Sequence, residues 1–477
     1  VQAVLAGAGA WLGQRRACAA AVPSDAPGLG ELVGRVRPRS GREIDASPLS
    51  VGMETLDRRM FDPARTYEHV GRLGVKWARL QTGWARTETT AGQYDFAWLD
   101  EVVDSLRKLG IEPWFNLGYG NRLYTPRADP FGVGWAPLDG DEARAGWLRY
   151  VGAIAERFRG RVRHWEIWNE PNIATFWKGD KPSPARYVEL VSMTAPEIRK
   201  RVPGAVIVGG ALAGMPTDYL KGCLEAGLGR HVDKISYHPY RPVPEKGYET
   251  AVATWRKLLA QHNPKLGLWQ GENGCPSQNG GAGALRDLDW NETRQAKWLL
   301  RRILSDLRLG IELTSYFHLV DLVNYNWGGG STGQTNFKGL LRGTDYTPKP
   351  SYYAYQCLAA LFDAKTERAG AEYRLRLLPG TAEQPKEDAL VYAVFTRQGR
   401  VLGAYWHAAS LQEDTPTRSV RVELSVPADH LAQPVLVDPL ANRVYRIAQQ
   451  TQSGGRLAFG NLPLADYPLI IADRSVI

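Results

Sequence analysis

The phrase RLGVKWARL (Arg72–Leu80) returns twice more along the chain, as KLGIEPWFNL (Lys108–Leu117) and LRLGIELTSYF (Leu307–Phe317). Each time a basic last helical turn meets a glycine, Gly74, Gly110 or Gly310, and an apolar run follows. Glycine just past a helix end takes the left-handed conformation that a chain reversal needs, and the apolar run reads as a strand buried on both faces. RFRGRVRHWEIW and RVPGAVIVGG are joints of the same kind, while SPARYVEL and NETRQAKWLL start helices behind a capping Ser183 and Asn291. The strand candidates are SPLSVGME, KWARLQ, EPWFNLG, RHWEIW, AVIVGG, KISYH, LGLWQG and ELTSYFH. Eight strands alternating with helices predict a (β/α)8 TIM barrel over residues 46–363. The rival, an open doubly wound sheet, would carry a phosphate-binding loop after an early strand, and none is present.

After Asp363 the texture changes. YRLRLL, ALVYAVFT, RVLGAYWH, SVRVELSV, PVLVDP, RVYRI and YPLIIAD are short runs between Gly, Pro and Gln-rich turns, and predict an all-β, sandwich-like domain over residues 364–477. Residues 1–45 form an N-terminal segment that lies along this domain or under the barrel; the sequence does not choose. VLAGAGAWLG (Val4–Gly13) imitates a dinucleotide loop but lacks the second strand and the acidic residue that reading needs. The Ala/Leu-rich start running into Pro and Ser reads instead as the remnant of an export signal within residues 1–22, so secretion or a periplasmic location is expected.

Composition narrows the function classes. Over 477 residues, 44% hydrophobic and 23% charged is the usage of a folded water-soluble chain, and no apolar run is long enough to span a membrane. The net charge of +9 is spread out and forms no nucleic-acid reader motif, although attraction to an acidic polysaccharide stays open. The four cysteines show no CxxC spacing and the eight histidines no ligand pair, so neither a metal nor a cofactor is expected.

The chemistry concentrates in RHWEIWNEPNIATFW (Arg163–Trp177) and GLWQGENGCPS (Gly267–Ser277). Glu170 ends the fourth strand, stopped by Pro171, and Glu272 ends the seventh. Strand ends form the catalytic mouth of such a barrel, and strands four and seven face each other across it. Two opposed carboxylates are what glycoside hydrolysis needs, one to protonate the departing oxygen and one to attack or to activate water.

At WNEP and GENG the chain resembles the retaining glycoside hydrolases of clan A, and most closely family 39, which holds β-xylosidases and α-L-iduronidases. The resemblance covers the barrel as far as TPKPSYYAYQ (Thr347–Gln356). It implies Glu170 as acid/base and Glu272 as nucleophile, cleaving β-glycosidic bonds of a carbohydrate substrate. Asn169 would bond the sugar 2-hydroxyl, Arg79 and Tyr240 would keep Glu272 ionised, and His238 would neighbour Glu170. Strand eight departs from the pattern: where the clan commonly has a Trp, TSYFHLVD offers Tyr316, His318 and Asp321, which leaves the sugar open. Trp84, Trp135, Trp177, Trp269, Trp290 and Trp327 are candidate sugar platforms, of which at least two should line the cleft. The loops Gly118–Asp141 and Asp321–Pro350 are long for the fold and leave exo or endo action undecided. A transglycosylase using the same intermediate and a silent glycan-binding barrel are the alternatives.

Overall fold

The computed structural model describes residues 21–327, 332–379, 389–415, 418–427, 429–448, 450–453 and 456–477. Most of the expected export-signal remnant and part of the NWGGGSTGQTN loop lie outside these residues. Eight parallel strands close into a barrel: Leu49–Gly52, Trp77–Gln81, Glu112–Leu117, His164–Ile167, Val206–Ala213, Lys234–His238, Gly267–Asn273 and Leu313–Tyr316. The first pairs with the eighth through Leu49 opposite Thr314, which completes the ring. The glycines of the repeated phrase sit at φ +84° (Gly74), +75° (Gly110) and +65° (Gly310), the left-handed region that a side chain would strain. Asn291 caps its helix by accepting from the Arg294 N–H at 2.9 Å. Ser183 occupies the other cap position without a side-chain bond, and Pro184 in the first turn sets that helix entry instead.

The barrel interior is layered. Trp77, Trp114 and Trp269 pack against Val208 and Leu313 on the axis, and the Arg79 guanidinium lies 5.5 Å above the Trp114 ring. Strand seven shifts register between Gln270 and Asn273. In an unbroken strand Trp269 and Glu272, three positions apart, would point to opposite faces. The irregularity lets the tryptophan fill the barrel while the carboxylate reaches the mouth.

The C-terminal region forms two antiparallel sheets, one of seven strands and one of four. They meet at Gly403, where an added Cβ would come within 3.3 Å of Leu375 and 3.7 Å of Leu424. The interior strand Arg400–His407 is buried along both faces: Tyr405 reaches the small sheet at the Pro463 carbonyl, and Trp406 donates to Glu245 of the barrel. The N-terminal segment does both things the sequence allowed. Leu29–Gly34 adds a strand to the large sheet beside Arg443–Ile447, and Gly41 then packs below the barrel against Leu109 and Ile111.

Candidate active site

Four barrel strands deliver the groups at the mouth. Arg79, on strand two, is fully buried and bound by three carboxylates. Its Nη1 donates to Glu272 Oε2 at 2.7 Å and to Glu54 Oε1 at 3.1 Å. Its Nη2 donates to Glu166 Oε2 at 2.6 Å and to Asn169 Oδ1 at 2.8 Å. Only the planar fork of a guanidinium reaches so many acceptors at once. The Tyr240 hydroxyl donates to Glu272 Oε1 at 2.7 Å, so both oxygens of that carboxylate are held.

Glu170 is presented on a strained backbone. Trp168 and Glu170 have φ of +71° and +48°, on either side of Asn169. Such conformations cost roughly 1–3 kcal/mol each and persist where surroundings over-determine them. Here the Glu170 N–H donates to the Ala211 carbonyl at 2.8 Å, and Asn116 Nδ2 donates to the Trp168 carbonyl at 2.6 Å. His238 Nδ1 lies 2.9 Å from Glu170 Oε1 and 3.8 Å from Glu272 Oε2. One oxygen each of Glu170 and Glu272 and one His238 nitrogen all fall within 4.8 Å of each other.

The two acids are electrostatically unlike. Burial pushes Glu170 above the usual carboxylate range, an effect that its bond to His238 only tempers. Burial acts on Glu272 in the same sense, but His238, Arg79 and Tyr240 outweigh it and hold that carboxyl below the usual range. His238 is raised: burial would lower it, and the two carboxylates prevail. These three groups are also the one metal-like cluster among the described residues. Both Glu272 oxygens are already bonded, and a cation beside Glu272 would meet the Arg79 guanidinium, so the donor set suits a proton-transfer pair better than a metal.

Sequence reasoning missed three residues. Glu166 accepts from Arg79, from Asn116 Nδ2 at 2.8 Å and from Ser236 Oγ at 2.5 Å, anchoring the cation from below. Glu54, buried beside Arg79 and Glu272, is pushed up to about 7, chiefly by burial. Lys338 lines the pocket with burial lowering it to about 7; its closest acceptors are the Asn336 side chain at 3.4 Å and the Ala282 carbonyl at 3.5 Å. An acid inside the apolar run HWEIW was a legible signal for Glu166. Lys338 had none, because a long loop carries it there.

A cavity of about 340 Å³ opens over Glu170 and Glu272, walled by Phe176, Tyr240, Tyr325, Trp327, Asn336 and Lys338. Of the candidate tryptophans Trp327 alone reaches it among the described residues, which corrects the expectation of at least two. Trp84 is stacked on Tyr124 and bonded to Glu88 in the helical shell. Trp177 is buried and donates to Asp180, and Trp290 donates to the Leu285 carbonyl. Trp135 packs under Arg127, and Trp269 belongs to the barrel interior. Tyr316, His318 and Asp321 also stay behind the wall: Tyr316 bonds the Cys275 carbonyl, His318 bonds backbone at Glu54 and Val320, and Asp321 pairs with Lys349 at 2.6 Å.

Residues 68–265, which carry Arg79, Asn169, Glu170, His238 and Tyr240, match the model for glycosyl hydrolases family 39. The family match spans less than half of the chain. The chain is 30% identical over 159 residues to a β-xylosidase of Geobacillus stearothermophilus, a match spanning 31% of each protein. It is 33% identical over 137 residues to β-glucosidase 1B of Phanerodontia chrysosporium, spanning 28% of this chain and 24% of that one. The chain thus matches less than a third of the length of either relative. Among solved structures, a family 39 glycoside hydrolase from Bacteroides cellulosilyticus WH2 superposes with a TM-score of 0.63 at 20% identity, covering 90% of this chain and 81% of that one. A family 39 β-xylosidase from Caulobacter crescentus gives 0.57 at 20% identity over 92% and 98%. At that identity these two establish the shared fold.

Proposed function

We propose that this family 39 barrel hydrolyses β-glycosidic bonds with retention of configuration, using Glu272 as nucleophile and Glu170 as acid/base. The observation that carries the reading is the approach of the two carboxyl groups to within 4.8 Å. Retaining sites need about 5 to 5.5 Å, whereas inverting sites need about 6.5 to 9.5 Å to fit a water. In the first step Glu272, kept ionised by Arg79 and Tyr240, attacks the anomeric carbon while Glu170 gives its proton to the departing oxygen. The glycosyl ester removes one negative charge beside Glu170, so its pKa falls and it takes a proton from the incoming water. Asn169, oriented by Arg79 through Oδ1, turns its amide to the sugar 2-hydroxyl.

The names of the two relatives make aryl β-xyloside and aryl β-glucoside the first substrates to try. Incubation with the matching activated 2-fluoro glycoside should add one sugar mass to the peptide containing Gly271–Glu272–Asn273. NMR of fresh hydrolysis should show the β-anomer first. A label on another residue, or the α-anomer appearing first, would overturn the assignment.

A further inference from the structure

The β domain holds a cleft larger than the catalytic one, about 490 Å³, bounded by the small sheet, the edge of the large sheet and the last turn of the helix Glu292–Arg308. Five arginines line it: Arg308, Arg368, Arg374, Arg376 and Arg456. Three of them are set by strand register. Arg374 lies opposite Ser425, which lies opposite Arg456, so one row crosses three strands, and Arg376 opposite Glu423 begins the next row on the same face.

Among the described residues most of this charge is uncompensated. Glu423, the one carboxylate in the lining, is within 3.3 Å of Arg421, and Arg308 is paired with Glu249 at 2.7 Å. Arg368, Arg374, Arg376 and Arg456 have no carboxylate within ion-pair reach among the described residues. Gathering like charges this way opposes folding and is relieved by a bound anion. Guanidinium groups grip carboxylate and sulfate in two-pronged fashion.

We propose that this cleft binds an anionic glycan chain, one bearing uronate or sulfate groups, and holds the polymer on the β domain while the barrel works on it. Arg374 and Arg456 stand two strand spacings apart, roughly 9.5 Å, comparable to the disaccharide repeat of an extended β-linked chain. Tyr392, 46% exposed at the cleft, offers a flat face for a sugar ring. Single-stranded nucleic acid would need a series of free aromatic platforms. The second tyrosine, Tyr373, already stacks on His430 with its hydroxyl 2.6 Å from Nδ1.

The proposal takes the polymer's nature from the glycosidase reading, so binding and turnover are measured separately on the full chain. Calorimetry with polymannuronate, a sulfated β-galactan, neutral dextran and single-stranded DNA should show binding to one or both acidic glycans, none to dextran, and weaker binding to DNA. The variant R374A/R376A/R456A should weaken the acidic-glycan interaction on the order of ten- to a hundredfold and leave hydrolysis of a small aryl glycoside within twofold. Response to polymannuronate alone assigns uronate, and response to the galactan alone assigns sulfate. Unchanged acidic-glycan affinity in the variant, equal binding of dextran, or tighter arginine-dependent binding of DNA would overturn the proposal. An inactive enzyme that still binds through these arginines would sink the catalytic reading and leave this one standing.

Discussion

His238 touches both carboxylates, so its replacement has a signed consequence. It is the foremost influence lowering Glu272 and the foremost one tempering the rise of Glu170. Without it both carboxyl pKa values move up. His238→Asn should therefore shift the acidic and the basic limbs of the kcat/KM profile to higher pH together; a basic limb moving down would contradict the contact. Glu170→Ala isolates the other role. Glycosides with good leaving groups need little protonation, so their glycosylation should survive while poor leaving groups lose on the order of a thousandfold. Azide, needing no general base, should then rescue turnover and give the β-glycosyl azide. Glu170 and Glu272 were legible because each ends a strand in a short motif, and strand ends have a known destination in a barrel, whereas Arg79, Asn169, His238 and Tyr240 were expected only through the family resemblance. The tryptophans were not, because a Trp after a strand carries no direction: Trp84 and Trp177 turned toward the helical shell, and the register shift in strand seven sent Trp269 inward.

The helix Glu292–Arg308 shows how an element can be misread. Its charged side suggests solvent, yet every residue from Gln295 to Leu307 is buried, because the β domain docks on it. Lys297 pairs with Asp466 at 2.8 Å, and Arg301 pairs with Glu245 at 2.6 Å while donating to the Ala409 carbonyl. Removing one partner of a buried pair strands the other, at about 3–5 kcal/mol. Glu245→Gln should lose stability of that order in denaturant unfolding at neutral pH. Burial pushes the Glu245 carboxyl up, but Arg301 prevails and holds it below the usual range. Its contribution is thus present above the unfolded carboxylate pKa and is lost as pH falls through the folded one, so parent and variant should converge in acid. The apolar strands of both regions were legible from their β-branched runs. Arg456–Leu464 was not, since Gly460, Asn461 at φ +51° and Pro463 break the pattern around a bulge opposite Val420 and Val422. Leu29–Gly34 carries too little apolar content to announce an edge strand.

At the scale of the molecule, barrel and β domain share one continuous apolar core, yet the groups at the catalytic mouth come from the barrel alone. Glu413, exposed on the β domain, should tolerate replacement by Ala with turnover changed less than a few-fold, under about 1 kcal/mol of barrier; a thousandfold loss would place it in the site after all. The same tolerance is expected of Asp388, which lies outside the described residues. The N-terminal segment gives the assembly its order in time. Val36 N–H bonds the Asn442 side chain at 2.8 Å across 406 residues of chain, and among the described residues Leu29–Gly34 pairs only with Arg443–Ile447. At a ribosome's pace of about 5–20 residues per second, that partner emerges roughly 20–80 s after the segment itself. The barrel strands are all translated within that interval. The first described strand is therefore made long before its partner, and a nascent chain displays an open backbone edge to chaperones until Arg443–Ile447 has been made.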